Sequence, residues 1–172
     1  LPGNARQSAG TLDLGRFYGT KPMPGQHARA RKAPGLLARY SDTFGEMQLP
    51  KKHEGEYLFL AAGSGITPLM ALTRALAAQG MPVPLTLMYW ARTRGELCFV
   101  DELRGLAREH AGFKAHFLLT GEAASASDEG EGRIDAEKLA LHAPDIAARR
   151  VLACGPGDFV DAVRALAQPQ AL

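Results

Sequence analysis

Six consecutive residues have the composition of a turn that binds phosphate. They follow an apolar run and are Gly63, Ser64, Gly65, Ile66, Thr67 and Pro68. Two glycines let the backbone approach a ligand closely, and the amides and positive end of a following helix attract an anion such as a pyrophosphate. The same composition also occurs in purely structural turns, and Pro68 replaces the third glycine of the common dinucleotide fingerprint. We expect phosphate binding here.

A second turn of related composition lies towards the end of the chain. The apolar run at residues 150–154 leads into Cys154, Gly155 and Pro156. In a parallel sheet ordered 3-2-1-4 the chain reverses between the first and fourth strands, so both turns open onto one crevice at the carboxyl ends of their strands. Cys154 then either lines this crevice or fills the core as a buried cysteine. We expect the two turns to bind opposite ends of one nucleotide.

Two arginines follow the second predicted strand, where dinucleotides are distinguished from one another. An acidic residue at this point holds a ribose 2′-hydroxyl, whereas an arginine accommodates a 2′-phosphate. Arg92 and Arg94 occupy this position here, which slightly favours NADPH over NADH as the ligand. The alternative is that both arginines are solvated loop residues that bind no ligand. Glu122, after the third predicted strand, opposes a 2′-phosphate if its side chain points inward.

The elements that position these residues alternate between strand and helix. Short apolar runs predict strands at residues 57–62, 85–91, 116–119 and 150–154. Helices are predicted at residues 68–79, 96–109, 135–141 and 159–167. Thr67 is the expected N-cap of the first helix, a single apolar stripe marks the second, and Asp135 is the expected cap of the third. Residues 121–132 are small and polar, which predicts a mobile loop. This alternation predicts an α/β fold with a doubly wound parallel sheet.

The composition excludes several classes of protein. The 172 residues are 46% hydrophobic and include 2 cysteines and 5 histidines. Two cysteines exclude a disulfide framework or a four-cysteine cluster within this sequence, and the histidines lack the spacing of metal ligands. The longest apolar stretch, residues 57–78, is interrupted by glycine, proline and arginine, so no transmembrane segment is predicted. We expect a cytoplasmic protein without a metal site.

The charge is distributed unevenly along the chain. Residues 1–52 hold 9 basic and 3 acidic side chains, whereas residues 53–172 hold 11 and 15. A basic front attracts an acidic protein, a phosphate group or nucleic acid, or else it is a solvated surface without a partner. The aromatic residues Tyr89, Trp90 and Phe117 lie in predicted strands, where core packing accounts for them. Nucleic-acid binding is therefore not predicted.

Three motifs together resemble the nucleotide domain of the ferredoxin–NADP reductase family. They are the Gly-x-Gly-x-x-Pro turn at residues 63–68, Tyr89-x-x-Arg92 leading into Phe99-x-x-Glu-Leu, and Cys154-Gly-Pro. Their order and spacing match that family over residues 56–167. The resemblance implies that the first turn holds the nucleotide pyrophosphate and that Thr67 lies near a flavin ring. It also implies that Cys154 borders the place where nicotinamide meets flavin, so Thr67 and Cys154 are the candidate catalytic residues. The remaining implied nucleotide contacts are Tyr89, Arg92, Arg94, Gly155 and Pro156.

The front of the chain resembles the flavin-binding β-barrel of this family only in pieces. Residues 24–27, 34–37 and 44–50 match, and the resemblance implies that Gly35, Leu36 and Leu37 contact the flavin phosphate. The family's Arg-x-Tyr-Ser motif has no counterpart, and about fifty residues are too few to close a six-stranded barrel. We expect remnant antiparallel strands of a partial FAD-binding region at residues 1–52, followed by an NAD(P)-binding domain at residues 56–172.

The resemblance implies an oxidoreductase that passes a hydride from NAD(P)H to FAD. Electrons then go to an acidic, ferredoxin-type iron–sulfur acceptor, and the match is closest to bacterial reductases that serve oxygenases and desaturases. The missing flavin motif supports a second hypothesis, a module that binds NAD(P) without flavin or turnover. A third hypothesis is a doubly wound phosphate-binding protein whose ligand is not a dinucleotide.

Overall fold

The computed structural model describes Leu49 and residues 52–167 of the chain. Five parallel strands form one sheet: β1 (Glu56–Ala62), β2 (Leu85–Ala91), β3 (Phe113–Leu119), β4 (Glu129–Glu131) and β5 (Arg149–Cys154). In the described part of the chain they are accompanied by the α-helices α1 (Ile66–Ala78), α2 (Val100–Glu109), α3 (Ala136–His142) and α4 (Gly157–Ala167). The expected α/β fold with a parallel sheet is confirmed. The expectations for the front region, including Gly35, Leu36 and Leu37, lie outside the described residues.

The central strands are buried along almost their entire length. All seven residues of β2 are buried, and so are the last six of β1. Successive strand residues point to opposite faces of a sheet, so both faces must be covered here. The helices contribute buried apolar side chains to the same core, among them Leu69, Met70, Leu103, Leu139 and Val163. No helix within residues 52–167 is long and apolar enough to span a bilayer.

The sheet has one more strand than the sequence predicts. The strand order is β4-β3-β2-β1-β5, so the four expected strands neighbour one another and β4 pairs with the outer side of β3 through residues 117–119. The prediction of a loop at residues 121–132 is therefore wrong for residues 129–131, which form β4. Ion pairs of Glu129 with Arg94 and of Asp128 with Arg104 hold this strand beside β3.

Three helices begin at residues other than those predicted, and one of them, α4, begins at Gly157 instead of Phe159. Residues 63–65 form a 3₁₀ turn that continues directly into α1, because the Ile66 amide donates to the Gly63 and Ser64 carbonyls. Gly65 is therefore the N-cap, and Thr67 lies inside the first helical turn. Helix α2 begins at Val100 because Phe99 has a left-handed backbone (φ 61°), which separates it from a 3₁₀ turn at residues 94–96. Asp135 caps α3 as predicted, accepting a 2.8 Å hydrogen bond from the Lys138 amide.

Candidate functional site

The two glycine turns touch each other at the carboxyl edge of the sheet. Strands β1 and β5 are direct neighbours, with Ala61 opposite Cys154. A Cβ added to Gly65 would lie 2.0 Å from the Cys154 carbonyl oxygen and 2.4 Å from its carbon. No residue with a side chain fits at this distance without moving backbone. The structure therefore places residues 63–68 directly against Cys154, Gly155 and Pro156, the juxtaposition on which the sequence interpretation depends.

The N-terminus of α1 carries no group that competes with an anion. It has no side-chain cap and no acidic residue in its first turn. In contrast, α2, α3 and α4 each have an Asp or Glu in the first turn. Gly63, Ser64 and Thr67 beside the α1 terminus are exposed. Within the described residues no side chain therefore caps the positive end of α1, which is the electrostatic condition for binding a pyrophosphate.

Five of the predicted site residues are buried, namely Gly65, Ile66, Tyr89, Cys154 and Gly155. Ile66 and Cys154 are each 1% exposed, and Tyr89 is completely inaccessible. The Tyr89 hydroxyl accepts a 3.3 Å hydrogen bond from the Cys98 amide, and desolvation by burial raises the pKa of Tyr89 to about 12. The ring of Tyr89 thus packs in the core and its hydroxyl holds the turn that follows β2, and contact of Tyr89 with the nucleotide stays a prediction.

Arg94 is surrounded by carboxylates. Its Nε and Nη2 donate to both oxygens of Glu129 at 2.9 and 2.7 Å, and its Nη1 donates to Glu122. The Arg94 amide donates to the second oxygen of Glu122 at 2.8 Å. The Glu129 side chain is only 2% exposed. The bonds from Arg94, together with those from the Ser125 and Ala126 amides, lower the pKa of Glu129 to about 2.

These contacts bear on the roles expected for the two arginines. The guanidinium of Arg94 is already bound by two carboxylates, so it would have to exchange partners to bind a 2′-phosphate, and that role stays a prediction. Releasing it would leave the buried Glu129 carboxylate with only Arg104, whose Nη2 lies 3.7 Å from Oε1. Arg92 has an exposed side chain, and it remains the candidate for contact with a ligand at the end of β2.

A second arginine holds the same segment against the sheet. Arg104 of α2 donates to both oxygens of Asp128 at 2.7 and 2.9 Å, and its guanidinium carbon lies 5.3 Å from the centre of the Phe117 ring. Residues 121–132 are therefore fixed by Arg94 and Arg104, which lie far from them in sequence. Sequence reasoning missed Glu129 because it lies in a polar, glycine-rich stretch with no local sign of burial.

Comparisons with known proteins identify the chain at the level of family. Residues 59–165 match the model of the oxidoreductase NAD-binding domain. The NADPH oxidoreductase of Mycobacterium tuberculosis is 32% identical over 130 residues, which cover 76% of this chain and 32% of that protein. The ferredoxin reductase component of 3-ketosteroid-9-alpha-monooxygenase from Mycolicibacterium smegmatis is 34% identical over 127 residues, covering 70% of this chain and 33% of that protein.

A solved structure shows the same architecture. The flavohem-like FAD/NAD-binding domain of the nitric oxide dioxygenase from Vibrio cholerae superposes with a TM-score of 0.59 at 26% identity, over 69% of this chain and 47% of that one. The chain thus spans 32% and 33% of the two curated relatives. The matched residues 59–165 contain both glycine turns, the second half of β1 and the other four strands. The chain belongs to the oxidoreductase NAD-binding domain family, which confirms its resemblance to the ferredoxin–NADP reductases.

Proposed function

We propose that this chain binds a nicotinamide dinucleotide across its two glycine turns and is the nucleotide-binding part of a flavin-dependent reductase. The observation that carries the proposal is the contact of Gly65 with the Cys154 carbonyl, because it joins an uncapped helix N-terminus to a second glycine turn. In this proposal the backbone of residues 63–68 holds the pyrophosphate. Cys154, Gly155 and Pro156 border the nicotinamide, and Arg92 lies towards the adenosine.

The residues of the chain position the reactants and supply no strong acid or base. When bound, the nicotinamide and the flavin provide the hydride chemistry themselves. Thr67, exposed in the first turn of α1, lies on the side where the flavin is proposed to approach. Cys154 ends the strand beside it and is buried, so it provides a water-free border for the nicotinamide ring. Catalysis then depends on placement, in which small displacements have large effects on rate.

We further propose that the electrons leave the flavin for an iron–sulfur protein. The relative from M. smegmatis is named as the ferredoxin reductase component of an oxygenase, which supports an acidic ferredoxin-type partner or an oxygenase or desaturase component. Binding of the flavin phosphate by Gly35, Leu36 and Leu37 is part of the same proposal. The alternative without turnover remains a nucleotide-binding module.

Purification of the protein tests the reductase against the module. A yellow preparation that reduces ferricyanide with NADH or NADPH supports the reductase. A colourless preparation that binds NAD(P)H but reduces nothing supports the module. A thermal-shift screen with NAD⁺, NADP⁺, ADP and AMP separates both from the third hypothesis, since a phosphate-binding protein of another kind shows no preference for the two dinucleotides.

Replacing Glu122 by glutamine is expected to raise the affinity for NADPH relative to NADH. Arg94 is neutralised by Glu122 and Glu129, so Glu122 leaves this edge with too little positive charge for a 2′-phosphate. The wild-type protein should therefore prefer NADH, and the ratio of the two dissociation constants should change about threefold to tenfold in the variant. Titration of nicotinamide fluorescence measures it. Glu109→Gln at the far end of α2 is the control, and an unchanged ratio in Glu122→Gln would remove Glu122 from nucleotide choice.

Replacing Cys154 by alanine is expected to slow flavin reduction by about tenfold while the nucleotide dissociation constant changes less than about twofold. Its sulfur is proposed to border the nicotinamide, whereas the pyrophosphate is held by the other turn. Stopped-flow absorbance of the flavin measures the rate. Cys98→Ala is the matched control, because Cys98 is an exposed thiol. An unchanged rate in Cys154→Ala would refute the proposed role.

A further inference from the structure

The single tryptophan of the chain connects two segments at the edge of the site. Trp90 is the penultimate residue of β2 and pairs with Ala62, the last residue of β1. Its ring is 3% exposed. The indole nitrogen donates a 3.2 Å hydrogen bond to the Gly132 carbonyl, just beyond the end of β4. A buried indole needs such a partner, so this bond fixes both the ring and the segment that follows β4.

The other contact of the indole leads to the Cys154-Gly155-Pro156 turn. The ring centres of Trp90 and Phe159 lie 5.4 Å apart, with the planes at 54°. Phe159 in the first turn of α4 packs in turn against Gly155, where an added Cβ would lie 2.7 Å from a ring carbon of Phe159 and 2.9 Å from the Ala62 Cβ. Trp90, Phe159, Gly155 and Ala62 therefore form one continuous packed contact beneath both glycine turns.

We propose that Trp90 is a positioning residue for the nicotinamide end of the nucleotide. It acts through Phe159, which sets the position of the Gly155 backbone, while its bond to Gly132 keeps the indole from turning away. A shift of the Gly155 turn should change the border of the nicotinamide more than the pyrophosphate turn, because residues 63–68 lie between β1 and α1 and are held by both elements. This inference rests on the proposed placement of the nucleotide.

The test compares two ligands that differ only at the nicotinamide end. Dissociation constants for NADH and for ADP-ribose, which lacks the nicotinamide, are measured by calorimetry with wild-type protein, Trp90→Leu, Phe159→Leu and the double variant. We expect each single variant to weaken the binding of NADH about fivefold to tenfold and the binding of ADP-ribose less than about twofold. The double variant should lose no more NADH affinity than the more strongly affected single variant, since both residues act through one contact.

The controls separate positioning from general loss of stability. Met88→Ala removes a fully buried side chain on the same strand and the same face, two residues before Trp90. It should destabilise the fold without weakening NADH binding more than ADP-ribose binding. Trp90→Phe keeps a ring against Phe159 and removes the N–H donor, so it should weaken NADH by only about twofold to threefold. If Trp90→Leu does not fold, Trp90→Phe and Phe159→Leu carry the test.

Several outcomes contradict the inference. It fails if the variants weaken the binding of both ligands equally or of neither ligand. It also fails if the losses of NADH affinity add up in the double variant, or if Met88→Ala weakens NADH binding more than ADP-ribose binding. Wild-type protein that binds neither ligand would contradict the proposed function itself, and the inference with it. Wild-type binding together with unaffected variants would contradict the inference alone.

Discussion

Gly65→Ala is expected to abolish tight nucleotide binding and to destabilise the domain. The new methyl carbon would lie 2.0 Å from the Cys154 carbonyl oxygen, and that atom belongs to the backbone of β5, which is paired with β1, so it cannot move aside alone. Strand β5 or the start of α1 must shift, which costs about 1–3 kcal/mol of folding free energy by analogy with overpacked cores. Because both turns border the proposed site, we expect the affinity for NADH to fall more than about tenfold.

Calorimetric titration and urea unfolding measure the two effects of Gly65→Ala. Gly105→Ala is the matched control, since Gly105 lies inside α2 and an added Cβ would meet only a side-chain atom of Arg108 at 3.9 Å. The same chemical change should there stabilise the protein by about 0.5–1 kcal/mol and leave NADH binding unchanged. Wild-type affinity in Gly65→Ala would contradict the placement of the nucleotide across the two turns.

The second large effect expected is a loss of stability in mild acid, caused by a pair of histidines. His116 of β3 and His142 at the end of α3 stack with ring centres 3.9 Å apart. Burial lowers the pKa of His116 to about 4, with further repulsion from His142 and Lys114 and a smaller opposing attraction to Asp128. Burial also lowers the pKa of His142. Both rings are therefore neutral at pH 7.

The direction of the pH dependence follows from which state takes up protons. The pKa of His116 is about 4 in the folded protein, against 6.5 for an unperturbed histidine, so only the unfolded chain binds the proton between these values. Above about pH 6.5 the group has no effect on stability. As the pH falls from 6.5 through 4, we expect the free energy of unfolding to drop by about 3 kcal/mol, and the loss from this group ends once the pH lies below the folded pKa.

Urea unfolding at a series of pH values between 7 and 4 measures this loss. His116→Phe keeps a ring against His142 and removes the titrating group, so most of the loss should disappear. His110→Gln, which removes a histidine at the end of α2 outside the pair, should retain it. Equal pH dependence in wild-type protein and His116→Phe would show that other groups cause the acid sensitivity.

Local sequence patterns predicted the elements that continuous burial or a strong cap defines. The apolar run before Gly63 gave β1, the run at residues 85–91 gave β2 with both of its ends, and Asp135 gave the start of α3. In each case the information lies within a few neighbouring residues. The starts of α1 and α2 were misplaced because a 3₁₀ turn at residues 63–65 and the left-handed backbone of Phe99 follow from packing rather than from capping preference.

Local sequence was enough to predict the parallel α/β architecture and the two glycine turns, because hydrophobic periodicity and glycine steric effects act between neighbours in the chain. The roles of the polar residues follow instead from contacts that form only in the folded chain. Arg94 and Glu129 are 35 positions apart and bind each other, so one ceases to be a free cation and the other becomes a buried anion that fixes β4. Trp90 and Gly132 are 42 positions apart. Such pairs depend on which strands the fold makes neighbours, and no local preference encodes them.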